Sequence, residues 1–256
     1  MANMSILSSK SMEADFNVIK DMLSTGENFS FSRFSDGEML IANGVEVAMQ
    51  ADHNKIGNIV HDAANAEDDI KHFDPQKHIN VSKAIQRALI YNAPNYFKGL
   101  NCYCCSGSMW PRQMIYKERT LAGSDLTKLT WANLLINSNY NRFVKEIIPI
   151  LKTRDLYMVV NKNARLRVGQ NCMVNDTGII QEIKDYIDKN EIKDGVFMCA
   201  ASSLSNMVIH ECHMHNTDNT YIDIGSSLNP FLPGIGSRRG YMDQLNDPQT
   251  MQECMW

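Results

Sequence analysis

The sequence predicts an α/β protein: a Rossmann-like, mostly parallel sheet flanked by helices, in a single domain over residues 1–256. Three observations predict it. Strand-like and helix-like segments alternate through the final third of the chain, at lengths that suit parallel βαβ units. Three polar segments, 35–38, 201–205 and 225–229, fall where strands should end, which is where such sheets hold ligands. Hydrophobic residues make up 44% of the chain and charged residues 21%, an ordinary globular balance able to bury a full core.

The first element predicted is a helix with Met12, Phe16, Ile19, Met22 and Leu23 on one face, ended by Gly26. Phe29-Ser30-Phe31-Ser32-Arg33 alternates apolar and polar residues, which reads as a half-buried strand. It runs through Ser35-Asp36-Gly37-Glu38 into the apolar Met39-Leu40-Ile41, a strand–turn–helix junction. The middle reads as mostly helical, around residues 82–91 and 126–151, with a buried strand at 101–105 between them. Strands are then expected at 155–160, 196–200 and 221–224, with helices at 177–190 and through Val208-Ile209.

Composition narrows the classes of function. A net charge of −4 is not the footprint of a general nucleic-acid binder, although it leaves room for a local basic patch. No apolar run has the length of a membrane span, and residues 1–17 lack a signal peptide's apolar core. The cytoplasm is therefore the expected compartment, and the host cytoplasm if the source is viral. Seven cysteines, an odd count, read as reduced thiols there. Sixteen methionines with abundant Asn and Ile suit an AT-rich or viral genome.

Asp36 and Glu38 carry the chemistry. Two carboxylates separated by one glycine can reach a single cation if the turn is tight, and Gly37 permits such a turn. Carboxylates repel a diphosphate, so near a nucleotide the pair calls for Mg²⁺ or Mn²⁺ between them. Arg33 adds a fork of donors for a phosphate or ribose. The same spacing, Ser35-x-x-Glu38 before an apolar run, is also a helix capping box that needs no ligand. Acidic residues in a first helical turn are favourable in any case, by roughly 0.3–1 kcal/mol each.

Phe31-Ser32-Arg33-Phe34-Ser35-Asp36-Gly37-Glu38 resembles the N-terminal motif of the GT-D-type glycosyltransferases, an arginine and an aromatic leading into Asp-Gly-Glu. The resemblance continues at Trp131-Ala132-Asn133, through Asn137-Ser138-Asn139-Tyr140, and closes at Tyr221-Ile222-Asp223-Ile224-Gly225. It implies a GT-D-like fold and a glycosyltransferase that uses a nucleotide sugar, commonly a UDP-sugar. It also implies a metal, Mn²⁺ or Mg²⁺, at Asp36 and Glu38. The acceptor implied is a hydroxyl on a glycan or glycoprotein. The phage-like composition adds a second acceptor, a hydroxymethylated base in DNA. Two positions depart from the family pattern: Ser35 stands where glycine is usual, and Ser226 where a histidine is expected.

Further candidates complete the pocket. Ala201, Ser202 and Ser203 follow a strand and open a helix, so their amides can approach a phosphate or nucleoside, or simply form a capped βα turn. The segment lacks a glycine fingerprint, which disfavours NAD-type chemistry. Gly225 and Ser226 form the last loop, and Asp223 joins Asp36 and Glu38 as a catalytic candidate. A base for an acceptor hydroxyl is sought among Asp52-His53, Asp125 and Asp223. Arg238-Arg239 is the most local basic patch. Cys102, Cys104 and Cys105 with His210, Cys212, His213 and His215 have the wrong spacing for structural zinc, so they read as buried thiols and surface histidines. A non-catalytic, nucleotide-binding Rossmann-like regulatory domain is the alternative function. The sequence leaves the donor sugar and homo-oligomer formation open.

Overall fold

The computed structural model describes residues 11–49, 53–56, 59–62, 71–101, 125–136, 139–160, 166–231 and 242. Helix α1 (Met12–Thr25) is capped by the Ser11 hydroxyl and closed by Gly26, whose φ of 77° suits a residue without a Cβ. It buries Phe16, Ile19, Met22 and Leu23, as the periodicity requires.

β1 (Ser30–Phe34) follows, then α2 (Asp36–Ala42). Short strands β2 (Val47–Met49), β3 (His53–Ile56), β4 (Ile59–Asp62) and β5 (Lys71–Phe73) form a separate antiparallel sheet, ordered β4-β3-β2-β5. Next come α3 (Ile79–Ile90), β6 (Tyr96–Leu100) and β7 (Leu129–Trp131). The chain continues through α4 (Tyr140–Arg142), a π-helical turn at Phe143–Ile147 and α5 (Ile148–Leu151). It goes on with β8 (Leu156–Val160), β9 (Leu166–Arg167), α6 (Cys172–Asn175), α7 (Ile179–Lys189), β10 (Val196–Ala200), α8 (Leu204–His215) and β11 (Thr220–Asp223), followed by a 3₁₀ turn at Asn229–Phe231.

Among the described residues, seven strands make the main sheet in the order β7-β6-β1-β11-β10-β8-β9, and every pairing between them is parallel. The steps β1 to β6 and β8 to β10 to β11 run in one direction across the sheet, so right-handed crossovers put α3, α7 and α8 on one face. These helices do pack on one another, and α8 lies over β1 and β11. The return from β7 to β8 runs the other way and needs the opposite face, where α5 packs against α1.

Three expectations change. β1 is buried on both faces rather than half-buried. Its polar alternation survives because the hydroxyls are partnered: Ser30 Oγ meets His213 Nδ1 at 2.8 Å and Ser32 Oγ accepts from Asn206 at 3.0 Å. Residues 126–151 are not one helical stretch, because Leu129-Thr130-Trp131 forms a fully buried short strand whose apolar pattern mimics a helix segment. The antiparallel sheet was not foreseen at all. The strand expected at 101–105 lies outside the described residues beyond Asn101, as do Arg238-Arg239.

Candidate functional site at the carboxyl ends of the central strands

Phe34 pairs with Leu100, and Leu100 with Trp131, so β1, β6 and β7 end level with one another. On the other side of β1, Phe31 pairs with Ile222, and Asp223 with Cys199. This register gathers Arg33, Asp36, Glu38, Asn101, Ala132, Ser203 and Asp223 at one edge of the sheet.

Arg33 bridges the two sides. Its Nε donates to the Ala132 carbonyl at 2.6 Å, beyond β7, and its Nη1 stands 3.6 Å from Asp223 Oδ1, at the end of β11. The guanidinium lies directly over Gly225, where a Cβ would collide with Nη1. Gly225 takes a φ of 50° and donates its N–H to Asp223 Oδ1 at 2.9 Å, closing an Asx turn. Burial pushes the Asp223 carboxyl up to about 6. Arg33 and the Gly225 N–H pull it down, and the Glu38 charge adds to the rise.

The structure parts the two carboxylates of the Asp-Gly-Glu segment. Asp36 Oδ1 accepts from Asn101 Nδ2 at 2.5 Å, on the β6 side of β1. Glu38, only 8% exposed, turns to the β10 side: Oε1 accepts from Ser203 Oγ at 2.6 Å. Its Oε2 accepts the Ser35 N–H at 3.0 Å, so the capping box exists. Gly37 has a different role from the one expected. It sits inside α2 with open space where a Cβ would lie, so no tight turn depends on it.

As a test of fit for a divalent cation, Asp36 presents a half-buried carboxylate of the right chemistry at a helix start. Glu38 has both oxygens engaged within the protein. Among the described residues, no three or more His, Cys, Asp or Glu converge as a ready-made metal cage. Mg²⁺ and Mn²⁺ bound with phosphate need only one or two carboxylates, so Asp36 fits and Glu38 fits poorly.

The loop after β10 is tightly pinned. Ala201 N donates to Ser205 Oγ at 2.9 Å, and the Cys172 thiol donates to the Ala201 carbonyl at 3.2 Å. Ser202 holds a φ of 52°, left-handed for a residue with a Cβ, and its hydroxyl is buried without a hydrogen-bond partner among the described residues. Beyond Gly225, half-buried Ser226 lies next to Ser227, whose carbonyl accepts the Tyr140 hydroxyl at 2.8 Å.

Sequence reasoning missed Asn206 and Asn101. Asn206 is fully buried on α8 and its amide donates to the Arg33 carbonyl at 2.6 Å and to Ser32, fixing the end of β1. The available signal was its position three residues after Ser203, on the same face of the helix. The other candidates fall elsewhere. Asp125 precedes β7 and caps a 3₁₀ turn through Thr127 N at 2.9 Å, at the opposite edge of the sheet. His53 lies on β3 of the small sheet, and Asp52 is outside the described residues. His210 and His213 are buried rather than on the surface, ringed by Tyr91 and Tyr96 near the amino ends of the strands. Cys102, Cys104 and Cys105 lie outside the described residues. A separate cavity of about 270 Å³ opens between α3, α7 and α8, lined by Arg87, Lys184, His210 and Glu211 and by none of the residues gathered at the carboxyl ends of the strands.

No family model and no curated protein matches the chain. Two solved structures are similar to it. One is a selenomethionine-substituted structure of the domain of unknown function 1792, with a TM-score of 0.54, 15% identity, and 88% of this chain against 86% of that one covered. The second, described as showing that this highly conserved domain has a distinct glycosyltransferase fold, has a TM-score of 0.53 and 13% identity, covering 91% of this chain and 93% of that one. At such identities the likeness speaks for the fold. The chain has a glycosyltransferase fold, as its resemblance to the GT-D-type enzymes implied.

Proposed function

We propose that the protein is a glycosyltransferase that moves a sugar, by resemblance a hexose, from a UDP-sugar to an acceptor hydroxyl. The observation that carries the reading is Arg33 held between Ala132 and Asp223 over Gly225, at the carboxyl ends of the central strands of a glycosyltransferase fold. In this reaction the bond between the anomeric carbon and the diphosphate oxygen breaks, and the diphosphate leaves with the electron pair. The acceptor oxygen bonds to the anomeric carbon and its proton passes to a base.

The site must therefore hold negative charge at one point and accept a proton at another. Arg33 supplies donors for the departing diphosphate. A bound Mn²⁺ or Mg²⁺ would neutralise the same charge, with Asp36 as its protein ligand. The small-residue loop Ala201–Ser203 lets backbone approach the nucleotide. Asp223, ionising near 6, is suited to take the acceptor's proton at neutral pH. A glycan or glycoprotein hydroxyl is the favoured acceptor. The net charge of −4 counts against duplex DNA, whose binding draws on several phosphate contacts.

The test is donor hydrolysis. The protein is incubated with a panel of nucleotide sugars, with Mn²⁺ and with chelator, while free nucleoside diphosphate is followed. Metal-dependent release from one donor, lost in Asp36→Ala, is the expected result. Absence of release together with absence of metal-dependent nucleotide binding by calorimetry would overturn the reading in favour of a regulatory nucleotide-binding domain.

A further inference from the structure

We infer that Glu38 is a positioning residue that braces the 201–203 loop of the donor pocket, and that it is not a ligand of the cation. The inference rests on the glycosyltransferase reading above. A capping box accounts for one oxygen of Glu38, the one that accepts the Ser35 N–H at 3.0 Å. It does not account for the other. Oε1 leaves the helix it caps and takes the Ser203 hydroxyl at 2.6 Å, crossing from the end of β1 past β11 to the loop that follows β10. A charge-assisted bond of this length between two buried side chains is among the stronger kinds of hydrogen bond.

What the bond holds is a loop that would otherwise relax. Ser202 stands in left-handed conformation beside Ser203, and such strain persists only where the surroundings over-determine it. Further ties on this loop, Ala201 N to Ser205 Oγ, Leu204 N to Ala201 O, Ser205 N to Ser202 O and Cys172 Sγ to Ala201 O, join it to its own helix and to α6. The Glu38 bond joins it to the Arg33–Asp36 segment. It thereby sets the distance between the two halves of the pocket. Asp36, two residues earlier, accepts from Asn101 on the other side of β1 and is the carboxylate assigned to the cation.

Three variants decide it: Glu38→Gln, Glu38→Ala and Ser203→Ala, with the double variant of the last two. Glutamine keeps both bonds, its carbonyl accepting from Ser35 N–H and its amide donating to Ser203 Oγ, but a neutral amide is a poor cation ligand. Binding of Mn²⁺ alone is read by electron paramagnetic resonance and binding of UDP by calorimetry. Glu38→Gln is expected to stay within about threefold of wild type in both, while Glu38→Ala and Ser203→Ala weaken UDP about tenfold or more. The double variant should be no worse than the worse single one. On a donor that turns over, KM should rise more than kcat falls. Loss of Mn²⁺ binding in Glu38→Gln as complete as in Glu38→Ala, with Ser203→Ala behaving as wild type, would make Glu38 a ligand and overturn the inference. A wild type that binds neither Mn²⁺ nor UDP sinks the glycosyltransferase reading instead. The brace is then judged by thermal unfolding, where Glu38→Gln rescue and non-additive alanine losses uphold it and additive losses overturn it.

Discussion

Arg33 Nη1 and Asp223 Oδ1 face each other at 3.6 Å, with Gly225 against both of them. The pair joins β1 to β11 in the main sheet, and both partners are mostly buried. Gly225 is required twice, by its positive φ and by the guanidinium above it. Gly225→Ala should therefore cost about 1–3 kcal/mol of folding stability and displace Arg33. Denaturant unfolding measures the first effect, and a matching fall in affinity for UDP measures the second.

Asp223 ionises near 6 because it is buried, with Glu38 adding to the rise and Arg33 opposing it. An activity that needs this carboxylate should climb through an apparent pKa near 6 and level off above it. Removing the nearby charge in Glu38→Gln should move that limb to lower pH. The measurement is the pH profile of kcat/KM on an active donor.

His213 should make the fold sensitive to acid. Burial lowers its pKa to about 4 and the neighbouring His210 adds to the effect, with Tyr91, Tyr96 and Ser30 around the ring. The unfolded chain binds the proton near 6.5, so between pH 6.5 and 4 it holds more protons than the folded state. Stability contributed by the neutral ring is full above 6.5, falls as pH drops through this window, and is lost below 4. The loss is on the order of 3 kcal/mol for this one group. Urea unfolding at pH 7 and pH 4.5 should show the fall in wild type and a smaller one in His213→Asn.

Tyr140→Phe removes a hydroxyl that donates to the Ser227 carbonyl at 2.8 Å in a buried setting. About 1–2 kcal/mol of stability should go with it. Because the carbonyl belongs to the turn after Gly225, UDP affinity should fall as well, which calorimetry can read.

The sheet was legible where strands and helices alternate with clear periods. β10, α7 and β11 follow their apolar patterns almost residue for residue, because each buries one stripe or a continuous run. β7 was not legible, since Leu129-Thr130-Trp131 is too short to separate a strand from a turn of helix. The site was legible in its residue types: Arg33, Asp223 and Ser203 do assemble at the strand ends. The directions of Asp36 and Glu38 were not. They depend on Asn101 and Ser203, which register alone brings beside β1 and which no local spacing encodes.

The pairing of Ser30 with Tyr221 has a consequence for how the molecule is made. A ribosome emits β1 long before β11, the strand's second neighbour. Until then β1 has one free edge and Arg33 lacks its carboxylate. Closing so long a loop is slow, and an exposed central strand is a hazard while it lasts. A nascent chain halted before β11 should thus carry an unfinished sheet and no pocket, making β11 the checkpoint for both.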